Sequence, residues 1–156
     1  MKKSLTFGNM NTEHLLAEAY NYSIPLYKGI REYHFNSTSG NLYSVQFVQV
    51  KNNTSHFIVD LSLRDLEEDE YKTTNSDNIY RKMATLIAIL LHFIQNNELC
   101  EAIEFTPVEE ENKAVNRRLI VFRRYSQLFC KISGWHFQII QGTFILSKKA
   151  NNFRNT

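Results

Sequence analysis

The chain has 156 residues, 43% of them hydrophobic, and a formal net charge of +2. This length suffices for one hydrophobic core, so we expect a single domain over residues 1–150 and a frayed tail over residues 151–156. Such a small net charge gives no reason to expect a polyanionic partner. Two lone cysteines, Cys100 and Cys130, support neither a disulfide framework nor a zinc cluster.

Membrane insertion, secretion and metal binding are also disfavoured. The longest apolar run, residues 86–91, is shorter than the about 20 residues that a transmembrane helix needs. The first residues lack the apolar segment of a secretion signal. The five histidines show no metal-ligand spacing. We therefore expect a cytoplasmic protein with no membrane contact and no metal site.

In chain order, the first predicted element is a short helix over residues 12–20, which begins at a threonine N-cap and consists of strong helix formers. Two alternating segments follow, residues 27–36 and 42–50, and a polar turn between them predicts a β-hairpin. The sharpest alternation of apolar and polar residues, over 57–63, predicts a third strand.

The second half of the chain alternates helices with strands. The polar run over residues 73–78, with several candidate N-caps, predicts the start of a long helix, whose apolar residues follow helical spacing from Ile79 and which ends at the asparagines 96 and 97. A short apolar strand is predicted over 102–105 and a second helix over 112–132. Two further alternating segments between residues 135 and 146, separated by a glycine turn, predict a final hairpin.

The predicted order is therefore α-β-β-β-α-β-α-β-β, an α+β fold with a mixed, mostly antiparallel sheet and helices on its faces. This order resembles the layout of the acyl-CoA N-acyltransferase (GNAT) superfamily over nearly the whole chain. Residues 128–135, Leu-Phe-Cys-Lys-Ile-Ser-Gly-Trp, are similar to its late helix-to-strand segment. The resemblance places Cys130 where these enzymes often carry a tyrosine acid.

A second resemblance is to an uncharacterised family of small bacterial and phage-borne proteins. It rests on the segment from Asp77 to Thr85, on Ile103-Glu104-Phe105, and on Arg117-Arg118-Leu119. This resemblance implies a mobile-element or defence setting and does not imply a reaction.

The loop before the long helix departs from the acyltransferase pattern. In these enzymes a glycine-rich turn there presents backbone N–H groups to the pyrophosphate of coenzyme A. Residues 75–82 contain no glycine, and Asp77 places a negative charge against phosphate. We therefore expect no cofactor. If acetyl-CoA does bind, the candidate residues are Asn75, Ser76, Asn78, Arg81 and Lys82. The alternative role for the two cations is to offset the acidic residues that precede them.

The resemblance also suggests a catalytic pair. Glu104 and Cys130, close together in the acyltransferase layout, can form an acid/base pair that deprotonates an amine. The alternative for Glu104 is a polar side chain that faces solvent.

A basic stripe is predicted on the second helix. Residues offset by 4, 11 and 18 positions fall within about 40° of one another around a helix. The stripe consists of Lys113, Arg117, Arg124 and Lys131. It can bind phosphates or an acidic partner, or it is simply the solvated outer face of an amphipathic helix.

The favoured interpretation is a non-catalytic or degenerate acyltransferase-like domain that binds a macromolecule, either a protein partner or further copies of itself, as an accessory of a mobile-element or defence system. The first alternative is an active N-acyltransferase that uses acetyl-CoA. The second is a nucleic-acid-binding domain that uses the basic stripe, in which case its binding should weaken with salt.

Overall fold

The computed structural model describes residues 6–7, 10–11, 18–25, 31–63, 79–106 and 117–149. Its elements are, in chain order, β1 (Thr6–Phe7), β2 (Met10–Asn11), β3 (Tyr22–Ser23), β4 (Glu32–Asn36), β5 (Leu42–Gln49), β6 (His56–Leu63), α1 (Ile79–Asn96), β7 (Ala102–Phe105), α2 (Arg117–Ser133), β8 (His136–Ile140) and β9 (Thr143–Ser147).

Seven of these strands form one sheet, in the order β3-β4-β5-β6-β7-β9-β8, while β1 and β2 form a separate pair. Only β6 and β7 run parallel; every other neighbouring pair in the sheet is antiparallel. The α+β class and the mixed, mostly antiparallel sheet are therefore confirmed.

The N-terminal prediction differs from the structure. Residues 12–17 of the predicted first helix lie outside the described residues, and residues 18–20 are not helical. The backbone N–H of Tyr20 instead donates to the Thr85 hydroxyl, a contact between distant parts of the chain that local helix propensity cannot anticipate. The predicted tail over 151–156 also lies outside the described residues.

Both helices pack on the same face of the sheet, the helix-bearing face. Phe93 of α1 stacks on Phe47 with ring centroids 3.8 Å apart and meets Phe57 edge-on. Phe122 of α2 meets Phe105 of β7 with ring centroids 5.8 Å apart. Each buried aromatic pair of this kind contributes about 0.5–1.5 kcal/mol beyond the burial of its surface. The core thus lies between this face and the two helices.

The parallel strands pair over only part of their length. His56, Phe57 and Ile58 of β6 pair with β7, but β6 continues to Leu63 whereas β7 ends at Phe105. At its carboxyl end β6 therefore extends beyond the end of β7. Crevices that hold ligands in α/β sheets lie at such carboxyl ends, so this end of the sheet is a candidate place for a site.

Candidate functional site

The first turn of α1 lies at the end of the sheet where β6 extends beyond β7. Lys82 reaches Tyr43, which pairs with Leu63 at the carboxyl end of β6. Of the residues predicted to hold acetyl-CoA, Arg81 and Lys82 are in this turn. The others, Asn75, Ser76 and Asn78, lie outside the described residues.

Arg81 is engaged with the chain itself. Its Nε donates to the carbonyl oxygen of Glu18 at 2.8 Å, and its Nη1 donates to the Thr38 hydroxyl at 3.2 Å. Its guanidinium carbon lies 4.0 Å from the centroid of the Tyr20 ring. Arg81 therefore fastens residues 18–20 and the turn between β4 and β5 to the first turn of α1.

Lys82 is buried, with only 6% of its surface exposed. Its Nζ lies 5.3 Å from the centroid of the Tyr43 ring. A lysine this deeply buried presents almost no surface to a ligand in solution. Its long side chain and its charge are instead accommodated against an aromatic ring.

Between the two cations lie three parallel rings. Tyr20 stacks on Phe35 with centroids 5.8 Å apart and an interplanar angle of 13°, and Phe35 stacks on Tyr43 at 5.0 Å and 16°. Two residues adjacent in sequence thus cap opposite ends of one aromatic column. We call this arrangement the cation-capped stack, and it consists of Arg81, Tyr20, Phe35, Tyr43 and Lys82.

Thr85 completes the attachment of this segment. Its hydroxyl accepts from the Tyr20 N–H at 2.8 Å and donates to the Arg81 carbonyl at 2.7 Å. One turn of α1 therefore holds the segment before β3 by a side-chain stack and by a buried hydrogen bond. The sequence suggested a phosphate site here because adjacent cations at a helix start suit anions. The aromatic rings that contact these two cations are distant from them in sequence, so residue spacing alone could not reveal the contacts.

A groove of about 700 Å³ lies beside this attachment, between residues 19–23 and residues 34–38. Its described walls combine aromatic rings, small hydroxyl and amide side chains, one histidine and one arginine, and none of these described lining residues is a carboxylate. The side chains that matter for its chemistry are Tyr20, Tyr22, Ser23, Phe35, Asn36 and Arg81. Its volume lies within the range of about 300–1,000 Å³ that is typical of ligand pockets.

The predicted catalytic pair is not brought together. Glu104 alternates with Ile103 and Phe105, which point into the core, so its side chain lies on the face away from the helices. Cys130 lies on α2 and packs against the core, which is on the helix-bearing side of the sheet. On the face away from the helices, the Oε2 of Glu104 lies 3.4 Å from the Nε2 of His56.

Cys130 has the environment of a structural thiol. Burial raises the pKa of its thiol to about 12, so the sulfur remains protonated and poorly nucleophilic at neutral pH. Burial likewise raises the pKa of Cys100 to about 12. The nucleophilic thiolate chemistry of activated cysteines is therefore disfavoured at both positions.

The basic stripe is described only in its second half. Lys113 lies outside the described residues, and Arg117 is the first residue of α2. Arg124 and Lys131 are exposed, as is Arg123 beside them. This surface fits both the predicted binding face and the solvated outer face, so the stripe stays a prediction.

A polar cluster that the sequence patterns did not indicate joins β4 to α1. The Tyr33 hydroxyl and His92 Nδ1 are 2.8 Å apart, and the Tyr22 ring packs against both residues. Burial, followed by the neighbouring Tyr22 hydroxyl, raises the pKa of Tyr33 to about 12. Only the tertiary pairing of β3, β4 and α1 assembles these residues.

Two functional classes can be checked on the described residues alone. Neither α1 nor α2 is long and apolar enough to cross a membrane. In the described ranges no three histidine, cysteine or carboxylate side chains come together in a way that could hold a metal ion.

Comparisons with protein-family models, with curated proteins and with solved structures find no match to this chain.

Proposed function

We propose that this chain is an acyltransferase-like domain that acts by binding a protein partner and not by acyl transfer. The observation that carries the proposal is the cation-capped stack. Arg81 and Lys82, the two described residues best suited to hold a pyrophosphate, are occupied by protein rings and carbonyl oxygens. Releasing them for a cofactor would dismantle the attachment of the segment before β3.

The separation of Glu104 from Cys130 supports the same proposal. A general acid and base must both come within hydrogen-bond reach of one reacting group. Residues on opposite faces of a sheet cannot meet this requirement at a single substrate. The high pKa of the Cys130 thiol also removes the thiolate that a nucleophilic mechanism would need.

The groove between residues 19–23 and 34–38 is the place where we propose that the partner binds. Its neutral hydroxyl and amide side chains can bond the main chain of an extended segment, while the half-buried Tyr22 ring offers surface for an apolar side chain. Since the described lining residues include Arg81 and no carboxylate, an acidic or neutral segment suits the groove better than a basic one.

Calorimetric titration with acetyl-CoA, desulfo-CoA and ADP at low salt tests the first half of the proposal. We expect no saturable heat with any of the three. Micromolar binding of acetyl-CoA that is lost in Arg81→Glu would overturn it, provided that circular dichroism shows the variant to be folded.

Affinity capture with matched variants tests the second half. Asn36→Arg places a large cation in the groove wall, whereas Gln46→Arg places the same side chain at an exposed position on β5 that does not line the groove. We expect the wild type and Gln46→Arg to retain a partner that Asn36→Arg loses, and purified partner and domain to reproduce this difference by calorimetry. Equal capture by all three proteins, or no capture, contradicts the groove as the binding site.

One observation favours a second candidate, an N-acyltransferase that uses acetyl-CoA. The backbone of residues 59–63 extends past the last pair that β6 makes with β7. An extended acyl-pantetheine arm could pair with such a strand edge. The same titration distinguishes the two candidate functions. If the pantetheine arm pairs with this edge, acetyl-CoA and desulfo-CoA should both bind, whereas ADP, which lacks the arm, should bind weakly. In that case Leu61→Pro, which removes an N–H that points away from β5 at this edge, should weaken the binding.

A further inference from the structure

The strand β8 forms the second edge of the sheet and carries few of the features that usually protect an edge. It has five residues and pairs with β9 on one side, and no strand among the described residues pairs with its other side. Between His136 and Ile140 there is neither a proline nor a lysine. An edge of this kind offers unpaired N–H and C=O groups to another strand.

The turn between β8 and β9 determines which backbone groups point outward. Gln141 and Gly142 form a two-residue loop, with φ values of 49° and 81°. A hairpin of this type closes on a hydrogen-bonded pair, which is Ile140 with Thr143. Because hydrogen-bonded pairs alternate along an antiparallel ladder, Gln138 bonds to β9 while the N–H and C=O of Phe137 and Ile139 point outward.

We propose that two copies of this chain associate through β8, antiparallel and about a two-fold axis at Gln138. Phe137 of each copy then lies opposite Ile139 of the other copy. Each of these residues donates one hydrogen bond and accepts one, giving about four across the axis. The same surface serves on both copies, as a two-fold interface requires, and the two sheets become one.

The side chains of β8 suit this pairing. Phe137 and Ile139 lie on the same face of the strand, and Ile139 is 38% exposed. Pairing places Ile139 beside Phe137 of the second copy and extends the apolar row in which Phe137 meets Phe144 at 5.5 Å. Apart from His136, which pairing sets opposite Ile140, the strand carries no charged or titratable side chain, so no like charges meet across the axis.

Light scattering coupled to gel filtration, together with sedimentation velocity, tests the proposal on the full chain at tens of micromolar. We expect a species of twice the 18.4 kDa chain mass. Ile139→Lys should convert it to a monomer. Ile58→Lys is the matched control, since Ile58 is 39% exposed on the internal strand β6, and it should remain a dimer.

A second variant, Ile139→Pro, tests the same interface if the Ile139→Lys protein does not fold. Ile139→Pro removes an N–H that points away from β9, so proline is tolerated there, yet it deletes two of the four hydrogen bonds across the axis. We expect a folded monomer. A monomeric wild type, or a dimer that survives both Ile139 substitutions, overturns the proposal. Neither result affects the partner groove, which lies at the opposite edge of the sheet.

Discussion

The two edges of the seven-stranded sheet are built in different ways. The β3 edge is two residues long, is followed closely by Pro25, and is preceded by a segment fastened to α1 through Arg81, Tyr20 and Thr85. The β8 edge is five residues long and presents an exposed Ile139. Short strands and nearby prolines are protections against pairing with another chain.

The two edges therefore present different groups to other molecules. At the β3 edge, side chains that a sequence pattern would assign to ligand binding are used to hold the chain in place, and they leave a groove beside the edge. At the β8 edge no strand among the described residues pairs with the outer side of β8. The β3 edge is therefore suited to recognition by side chains, and the β8 edge to recognition by the backbone.

The largest loss of stability at the β3 edge is expected from a substitution at the centre of the cation-capped stack. Phe35 is 2% exposed and stacks on both Tyr20 and Tyr43. We expect Phe35→Ala to lower the free energy of unfolding by about 4 kcal/mol, because it removes a buried ring and leaves a cavity. Urea unfolding measures the loss, and hydrogen exchange at the Tyr20 amide shows whether the β3 edge loosens.

Phe144→Ala is the matched variant on the side of β8. Phe144 is also 2% exposed and contacts Phe105 and Phe137. We expect a similar loss of stability, but without local opening at the Tyr20 amide. Equal acceleration of exchange at Tyr20 in both variants would show that the β3 edge is not held separately.

The second test removes the outer cation of the stack. Arg81→Ala should lower the free energy of unfolding by about 2 kcal/mol, since it deletes two hydrogen bonds from a charged group and a cation–π contact. Arg124→Ala, at an exposed position on α2, should change it by less than about 0.5 kcal/mol. If the two variants lose the same stability, Arg81 does not fasten the β3 edge.

The success of the sequence predictions follows the range of the contacts involved. The spacing of Ile79, Met83 and Leu90 is a local property, so α1 and its end at Asn96 were predicted. The strand β3 was missed because two residues carry no periodic signal and exist as a strand only through β4. The role of Arg81 was equally out of reach, because Tyr20 and Glu18 precede it by some sixty positions.

The sequence predicted which strand residues share a face, but not which face of the sheet the helices cover. Alternation correctly grouped Phe57 with Val59 and Leu61, because period-two patterns report faces directly. It could not show that both helices cover that same face. Glu104 therefore could be placed on a strand from the sequence, but not on the side of the sheet opposite Cys130.

A third test changes one hydroxyl. Thr85→Val keeps the shape of the side chain but leaves the buried Tyr20 N–H without its acceptor, which should cost about 1.5 kcal/mol. Thr143→Val is the control near the β8 edge, where the hydroxyl is 3.0 Å from that of Thr106 and the pair is exposed; it should cost less than about 0.5 kcal/mol. Both are measured by urea unfolding. Equal losses would mean that the Thr85 bond adds nothing specific to the β3 edge.

The smallest expected effect is the response of the β3 edge to alkaline pH. The pKa of Tyr33 is raised from its ordinary value of 10 to about 12, first by burial and then by Tyr22. The folded state therefore holds this proton more tightly than the unfolded state. The stabilisation is complete below pH 10 and is lost as the pH rises toward 12. At about pH 11 the loss is about 1 kcal/mol.

Unfolding of the wild type and of Tyr33→Phe at about pH 8 and about pH 11 isolates this contribution, because phenylalanine does not titrate. We expect the wild type to lose about 1 kcal/mol more than the variant between the two pH values. Equal losses would show that Tyr33 ionises as it does in an unfolded chain, and that the cluster joining β3 and β4 to α1 is open to water.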